Sequence, residues 1–186
     1  VRPEMVDSSY LDVDMVLTTN EIIRLFQMTG VNPLKLDAAE FDPWMGEYTG
    51  SGVLFGASGG VMEAALRTVY EEVTGSTLEK LEFNEVRGMQ GLKEATLDLD
   101  GTIVKVAVAH TLSNAREIMD QVAAGISPYH FVEVMACPGG CIGGGGQPLT
   151  RNNEQRAKRI NAVYDEERSR IVRNSHENRE IKIQSC

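Results

Sequence analysis

Cysteine is scarce in this chain: there are three in 186 residues, two in one loop and one at the last position. Such usage excludes the disulfide framework that staples small secreted domains, and favours metal or cluster ligation in a reducing compartment. Tryptophan occurs once, at position 44. No apolar run approaches the roughly 18 residues needed to cross a bilayer, so no membrane span is expected. Positive charge is in deficit: 18 Lys and Arg stand against 27 Asp and Glu, a net charge of −9. An anionic surface repels nucleic acid, and no nucleic-acid partner is expected. Neither Gly-x-Gly-x-x-Gly nor Gly-Lys-Ser/Thr occurs, which removes the dinucleotide and phosphate-loop fingerprints. The chain has no initiator methionine and no signal-peptide core, and it reads as the middle of something longer.

Glycine, by contrast, is concentrated. Phe131-Val-Glu-Val-Met135 has the β-branched and aromatic character of a strand. It runs into Ala136-Cys137-Pro138-Gly139-Gly140-Cys141-Ile142-Gly143-Gly144-Gly145-Gly146-Gln147-Pro148. Six of the eight residues from 139 to 146 are glycine. Glycine costs entropy on folding, so this density means tight turns or close approach of the backbone to something. Two thiols four residues apart are soft metal donors, and the natural reading is a loop around an iron–sulfur cluster. A structural zinc site is the competitor. Zinc sites use Cys-x2-Cys pairs and four ligands, whereas here the spacing is Cys-x3-Cys with no second pair.

The rest of the chain alternates strand and helix signals. Val13, Met15, Val16 and Leu17 predict a short strand. Thr18 or Thr19 caps a helix bearing Ile22, Ile23, Leu25, Phe26 and Met28, which Gly30 ends. Residues 31–52 form a long connection in which Trp44 serves as an anchor. Val53-Leu54-Phe55 predicts a strand that meets Gly56-Ala-Ser58-Gly59-Gly60. A helix follows to about Val73, with Ser58 as its cap and Gly75 as its stop. A glycine-rich helix start suits a negatively charged group; a tight packing turn is the equal alternative. Glu63 and Arg67 are spaced to pair modestly along that helix.

Asp98-Leu-Asp-Gly101 predicts a hairpin turn between Glu94–Leu97 and Thr102–Ala109. His110 ends the second strand in a structural role. Ser113 or Asn114 caps the next helix, which carries Ala115, Ile118, Met119 and Val122 and which Gly125 closes. A charged helix begins near Asn152, and its mixed signs describe a solvated face. Ser175-His-Glu-Asn178 reads as a further helix start. The alternation predicts an α/β fold, an open sheet with flanking helices, and places the cysteine loop at a strand's C-terminal end, where such sheets hold ligands.

Met135-Ala-Cys137-Pro-Gly-Gly-Cys141-Ile-Gly-Gly-Gly-Gly-Gln147-Pro148 resembles the third signature of the catalytic domain of iron-only, or [FeFe], hydrogenases. Phe55-Gly-Ala-Ser-Gly-Gly-Val-Met-Glu-Ala-Ala-Leu-Arg67 is similar to the segment between that family's second and third signatures. Arg2-Pro3-Glu4, Leu17-Thr18-Thr19 and Ser175-His-Glu-Asn178 fall where the family has similar text. The resemblance covers nearly all of residues 1–186 and implies an incomplete C-terminal portion of the large-subunit catalytic domain, mainly the second lobe of a two-lobed domain.

The cofactor so implied is the H-cluster, a [4Fe-4S] cubane joined through one cysteine sulfur to a two-iron site with CO, cyanide and a dithiolate. Cys137 would ligate the cubane, and Cys141 would ligate it and carry the bridge. Met135 and Phe55 would wall the two-iron site. Gly59, Gly60, Pro138, Gly139, Gly140 and Gln147 would complete the cofactor pocket. The resemblance implies reversible H2 oxidation and proton reduction, with ferredoxin or another electron-carrier subunit as partner. The cytoplasm is the expected location, with the periplasm as the alternative. The family's first two signatures, with two more cluster cysteines, are not found. The chain is therefore expected to need a missing N-terminal part or a partner chain that brings them, and to be inactive alone. Cys186 has no counterpart in the pattern. A hydrogenase-like iron–sulfur assembly scaffold without hydrogenase activity is the alternative function, and a hydrogen-sensing homologue is a third.

Overall fold

A computed structural model describes residues 13–39, 47–76, 86–150 and 152–180. Trp44, Arg2-Pro3-Glu4 and Cys186 lie outside the described residues. Two compact units are present: Val1–Glu40 with Gly146–Leu149, and Phe41–Gly145 with Thr150–Cys186.

The first unit centres on helix α1 (Thr19–Thr29). Thr18 Oγ1 accepts from the Glu21 amide at 3.3 Å, and the Glu21 carboxylate accepts from the Thr18 amide at 2.7 Å. This reciprocal box satisfies two donors that a helix start leaves open. Gly30, at φ 72°, closes the helix. Residues 146–149 lie against its beginning: Asn20 donates from its amide to Gly146 O and from Nδ2 to Gln147 O, both at 2.9 Å. The strand expected over 13–17 does not form. A strand needs a ladder partner, and among the described residues none pairs with this segment.

In the second unit a three-stranded sheet has the order β1-β2-β3 among the described residues. Strands β1 (Leu92–Leu99) and β2 (Thr102–His110) form the expected antiparallel hairpin. Its two-residue turn, Asp100-Gly101, takes φ 53° and 87°, the paired positive values that match strand twist. Helix α4 (Leu112–Ala123) then carries the chain to β3 (Phe131–Met135), which runs parallel to β2. One sheet face packs Ala95, Leu97, Leu99, Val106 and Val108 against Met62 and Leu66 of helix α3 (Gly60–Thr74). The other packs Ala107 and Ala109 against Ala115 and Ile118 of α4. The architecture is the expected open α/β sheet with flanking helices. Helix α5 (Asn153–Ser169) starts near Asn152 as expected, with Asn152 as its cap, and Ile160 and Tyr164 pack on Leu54, Ala57 and Ile142.

Three local expectations are corrected. Val53-Leu54-Phe55 is not a strand: Gly50–Leu54 form a short helix, α2, capped by Thr49 Oγ1. An apolar run this short does not distinguish a buried strand from a buried helix turn. Helix α4 is not capped by Ser113 or Asn114. Thr111 occupies the cap position at φ 73°, without a side-chain cap. Asn114 Nδ2 instead donates to His110 O at 2.7 Å. The Ser58 cap of α3 is replaced by a distant residue, described below. Ser175–Glu177 form a single 3-10 turn in which the Asn174 amide donates to Glu177 Oε2 at 3.3 Å, and the expected helix start follows at 179, where Asn178 Oδ1 accepts from the Glu180 amide at 2.9 Å.

Glu63 and Arg67 pair as expected, at 2.6 Å, and do so within a buried network. The Glu63 carboxylate also accepts from Arg87. Glu167 of α5 accepts from Arg67 at 3.0 Å and from Arg173 at 2.6 Å. Glu63, Arg67 and Glu167 are fully buried. Arg87 also lies over the Tyr164 ring, 4.4 Å from its centroid.

Candidate functional site

The cysteine loop leaves the C-terminal end of β3 and is held from two sides. On one side is the 56–60 turn that feeds α3. The Ser58 amide donates to Gly139 O at 3.0 Å, and the Ile142 amide donates to Gly56 O at 3.2 Å. Gly140 sits at φ 91°, where a Cβ would stand 2.7 Å from Ser58 N and 2.9 Å from Met135 Sδ. Only glycine allows the loop to lie that close to the turn and to Met135. On the other side is α5, whose Arg159 donates to Ile142 O at 2.9 Å. Cys141 opens a 3-10 turn, Cys141–Gly143.

Met135, Ala136, Cys137, Gly140, Cys141, Gly144 and Gly145 line one cavity of about 390 Å3. Among the described residues both thiols are unpaired, with Cys137 half-buried and Cys141 exposed. A Cβ at Gly144 would stand 3.7 Å from Cys137 Sγ, and a Cβ at Gly145 would meet nothing within 4 Å. Missing side chains thus keep the cavity open beside two soft donors and a thioether, which fits a thiolate-ligated cluster. Among the described residues no three His, Cys, Asp or Glu side chains are grouped to hold a metal ion. Among the described residues the soft donors at the cavity are the two cysteine thiols and the Met135 thioether.

The other expected site residues are distributed as follows. Gly139 and Pro138 belong to the gripped part of the loop. Gln147 lies in the first unit, where its carbonyl is held by Asn20. Phe55 ends α2, about half exposed, and is not among the described residues lining the cavity. Gly59 and Gly60 are points of close packing. A Cβ on Gly59 would fall 1.9 Å from Val86 O. The Gly59 amide donates to Glu133 Oε1 at 2.6 Å, and the Gly60 amide donates to Ala57 O at 2.9 Å.

The negative charge suited to this helix start is therefore supplied by the protein itself. Glu133, in the middle of β3, also accepts from the Met62 amide at 2.7 Å and caps α3 through its Oε2. Sequence reading missed this residue, and Lys93 with it. Lys93 is only 2% exposed. Its Nζ donates to Ser58 O at 2.8 Å and to Gly88 O at 3.2 Å. A glutamate and a lysine at inward positions of strands were the available signal: alternation assigns both to the face that carries Val106 and Val108. His110, in β2, is buried as expected for a structural role, but among the described residues its Nδ1 has no hydrogen-bond partner.

Burial lowers the Lys93 ammonium from 10.5 to about 8, against the opposing pull of Glu133. The same burial, with Lys93 nearby, pushes the His110 imidazole down. A lysine lowered in the native state holds fewer protons there than in the unfolded chain. Stability therefore rises with pH from about 8 toward 10. Above that range Tyr129, raised to about 12 by its bond to Glu94, reverses the slope. Urea midpoints measured across this window should rise in the native sequence and stay flat in Lys93→Met. A flat native profile would contradict the burial of the charge.

A profile of the family described as "Iron only hydrogenase large subunit, C-terminal domain" matches residues 1–145. The chain is 50% identical over 149 residues to the periplasmic [Fe] hydrogenase large subunit of Nitratidesulfovibrio vulgaris, covering 80% of this chain and 35% of that protein. It is 39% identical over 182 residues to iron hydrogenase 1 of Clostridium pasteurianum, covering 95% and 32%. It is also 35% identical over 162 residues to the cytosolic iron-sulfur assembly component 3 of Mus musculus, covering 82% and 34%. Among solved structures, HydA(deltaEFG), from work on stepwise [FeFe]-hydrogenase H-cluster assembly, superposes with a TM-score of 0.72 at 38% identity, over 97% of this chain and 53% of that one. The chain thus spans about a third of the length of these curated relatives and about half of that solved structure. The loop that presents Cys137 and Cys141, the fold that carries it and the match over most of the sequence place this chain in the iron-only hydrogenase large-subunit family, as part of its C-terminal domain.

Proposed function

We propose that this chain is the part of an [FeFe] hydrogenase that supplies two of the four cysteine ligands of an H-cluster. One observation carries the reading: Cys137 and Cys141 border a single cavity with Met135, at the end of a parallel strand, on a loop braced from both sides. Cys137 is assigned to the cubane, and Cys141 to the cubane and the bridge to the two-iron site. When bound, the cluster supplies the redox chemistry that interconverts H2 with protons and electrons.

The chain's own residues do the rest. The two thiols bind. The Ser58, Ile142 and Arg159 bonds fix the loop and thereby orient both sulfurs. Met135 presents a soft, apolar wall. The glycines leave room for iron and sulfide where side chains would intrude. Assembly belongs in a reducing compartment, because ligation needs free thiols. The relative from N. vulgaris is named periplasmic, which keeps the periplasm as the alternative location. Among the described residues no helix is long and apolar enough to cross a membrane. An electron carrier of the ferredoxin type is the proposed redox partner.

The relatives named as iron–sulfur assembly components support a second reading, a scaffold without hydrogenase activity. Higher identity to the hydrogenases, 50% and 39% against 35%, favours the enzyme. The test is co-expression with a segment bearing the family's first two signatures, under maturation. H2 evolution and infrared bands of CO and cyanide are expected from the pair, and neither from this chain alone. A stable cluster without those bands, and without H2, would select the scaffold reading. Hydrogen evolution by the chain alone would sink the two-of-four assignment.

A further inference from the structure

The sheet register places Lys93, Val108 and Glu133 in one row across three strands, on one face. Neighbouring strands lie about 4.8 Å apart, so the cation and the carboxylate stem from backbones nearly 10 Å apart. One peptide group fills the gap between them. The carbonyl of the Ser58–Gly59 peptide accepts from Lys93 Nζ at 2.8 Å, and the N–H of the same peptide donates to Glu133 Oε1 at 2.6 Å. Two buried opposite charges thus grip the two ends of one peptide dipole. That peptide sits inside the turn on which the cysteine loop rests, since Ser58 N donates to Gly139 O and Gly56 O accepts from Ile142 N.

The geometry points to Lys93 as a positioning residue that, with Glu133, clamps the 56–60 turn and thereby sets the place of the Cys137–Cys141 loop. The hydrogen bonds are directional and buried, so the turn has one orientation in which both charges are satisfied. Lys93 approaches the loop through Ser58 and Gly88, without touching either cysteine. The groups facing it are Glu133 and, in the adjoining row beside Met135, His110. Its effect on a bound cluster rests on the hydrogenase reading: a buried positive charge behind the loop favours the more negative, reduced state.

Two measurements separate the clamp from that reading. In this chain, Lys93→Met should speed hydrogen exchange at the Ser58 and Ile142 amides by about tenfold or more, while α5 amides near Tyr164 keep their protection. Lys93→Arg should restore part of that protection, because it keeps the donor and the charge. Unchanged exchange at Ser58 and Ile142 would overturn the clamp. Should Lys93→Met fail to fold, Glu133→Gln decides by the same criterion, since it removes the charge from the other end of the peptide. In the complete maturated enzyme, Lys93→Met should move the cluster's midpoint potential to more negative values and Lys93→Arg should leave it near the native one. An unchanged potential would overturn the electrostatic effect. A native assembly that loads no cluster would defeat the hydrogenase reading while the exchange result stands.

Discussion

Cys141→Ser in the complete enzyme is expected to abolish H2 turnover and to remove the infrared bands of CO and cyanide. The assigned role of Cys141 is double: it holds the cubane and carries the join to the two-iron site. Loss of groups that merely orient metal ligands costs about ten- to a hundredfold in affinity or activity, so loss of the ligand itself should cost at least that. A hydroxyl is also a harder, less acidic donor than a thiol and ligates iron–sulfur clusters poorly. Cys137→Ser should weaken the cubane by the same chemistry, and iron analysis should show it. Only Cys141→Ser should free the two-iron site while leaving cubane iron behind. Turnover at the native rate with the infrared bands intact would refute the bridging assignment.

Glu167→Ala should destabilise the second unit by about 3–5 kcal/mol, read as a lower urea midpoint of this chain at unchanged slope. Glu167 is fully buried and accepts from Arg67 and Arg173, with Arg87 at 3.5 Å from its second oxygen. Removing it takes a carboxylate from Arg87, from Arg173 and from the fully buried Arg67, and leaves Arg67 and Arg87 to share Glu63. The cost lies in that uncompensated charge rather than in the lost contact. The surface pair Lys158–Glu154 serves as the control, with side chains 73% and 66% exposed. Lys158→Ala there should change stability by less than about 1 kcal/mol. A Glu167→Ala effect as small as the control would show that the network contributes nothing net.

Much of the fold was legible because its signals are local. The Thr18 cap, the helix start near Asn152, the Gly30 and Gly75 stops and the Asp100-Gly101 hairpin each depend on a few adjacent residues and on backbone geometry that those residues favour. The cysteine loop was legible for the same reason: ligand type and spacing lie in one short stretch. What failed was short or long-range. The 13–17 strand needs a ladder partner from elsewhere, and the 53–55 run is too short to declare its period. The cap of α3 comes from Glu133, more than seventy residues away in sequence. A helix start reveals that it needs an acceptor, but not which carboxylate the sheet will bring to it.

Sequence by itself determined the α/β alternation, the family resemblance and the two thiols on a glycine loop, because each is written in contiguous residues. Tertiary structure alone decided what surrounds them. It turned the Glu63–Arg67 spacing from a modest pair along one helix into part of a buried network, gave the α3 start to Glu133, and set Lys93 beneath the turn that carries the loop. The physical reason is burial. An ionic or polar side chain in water is worth little wherever it stands. The same group removed from water must find its partner, and only the folded chain fixes which partner lies within reach.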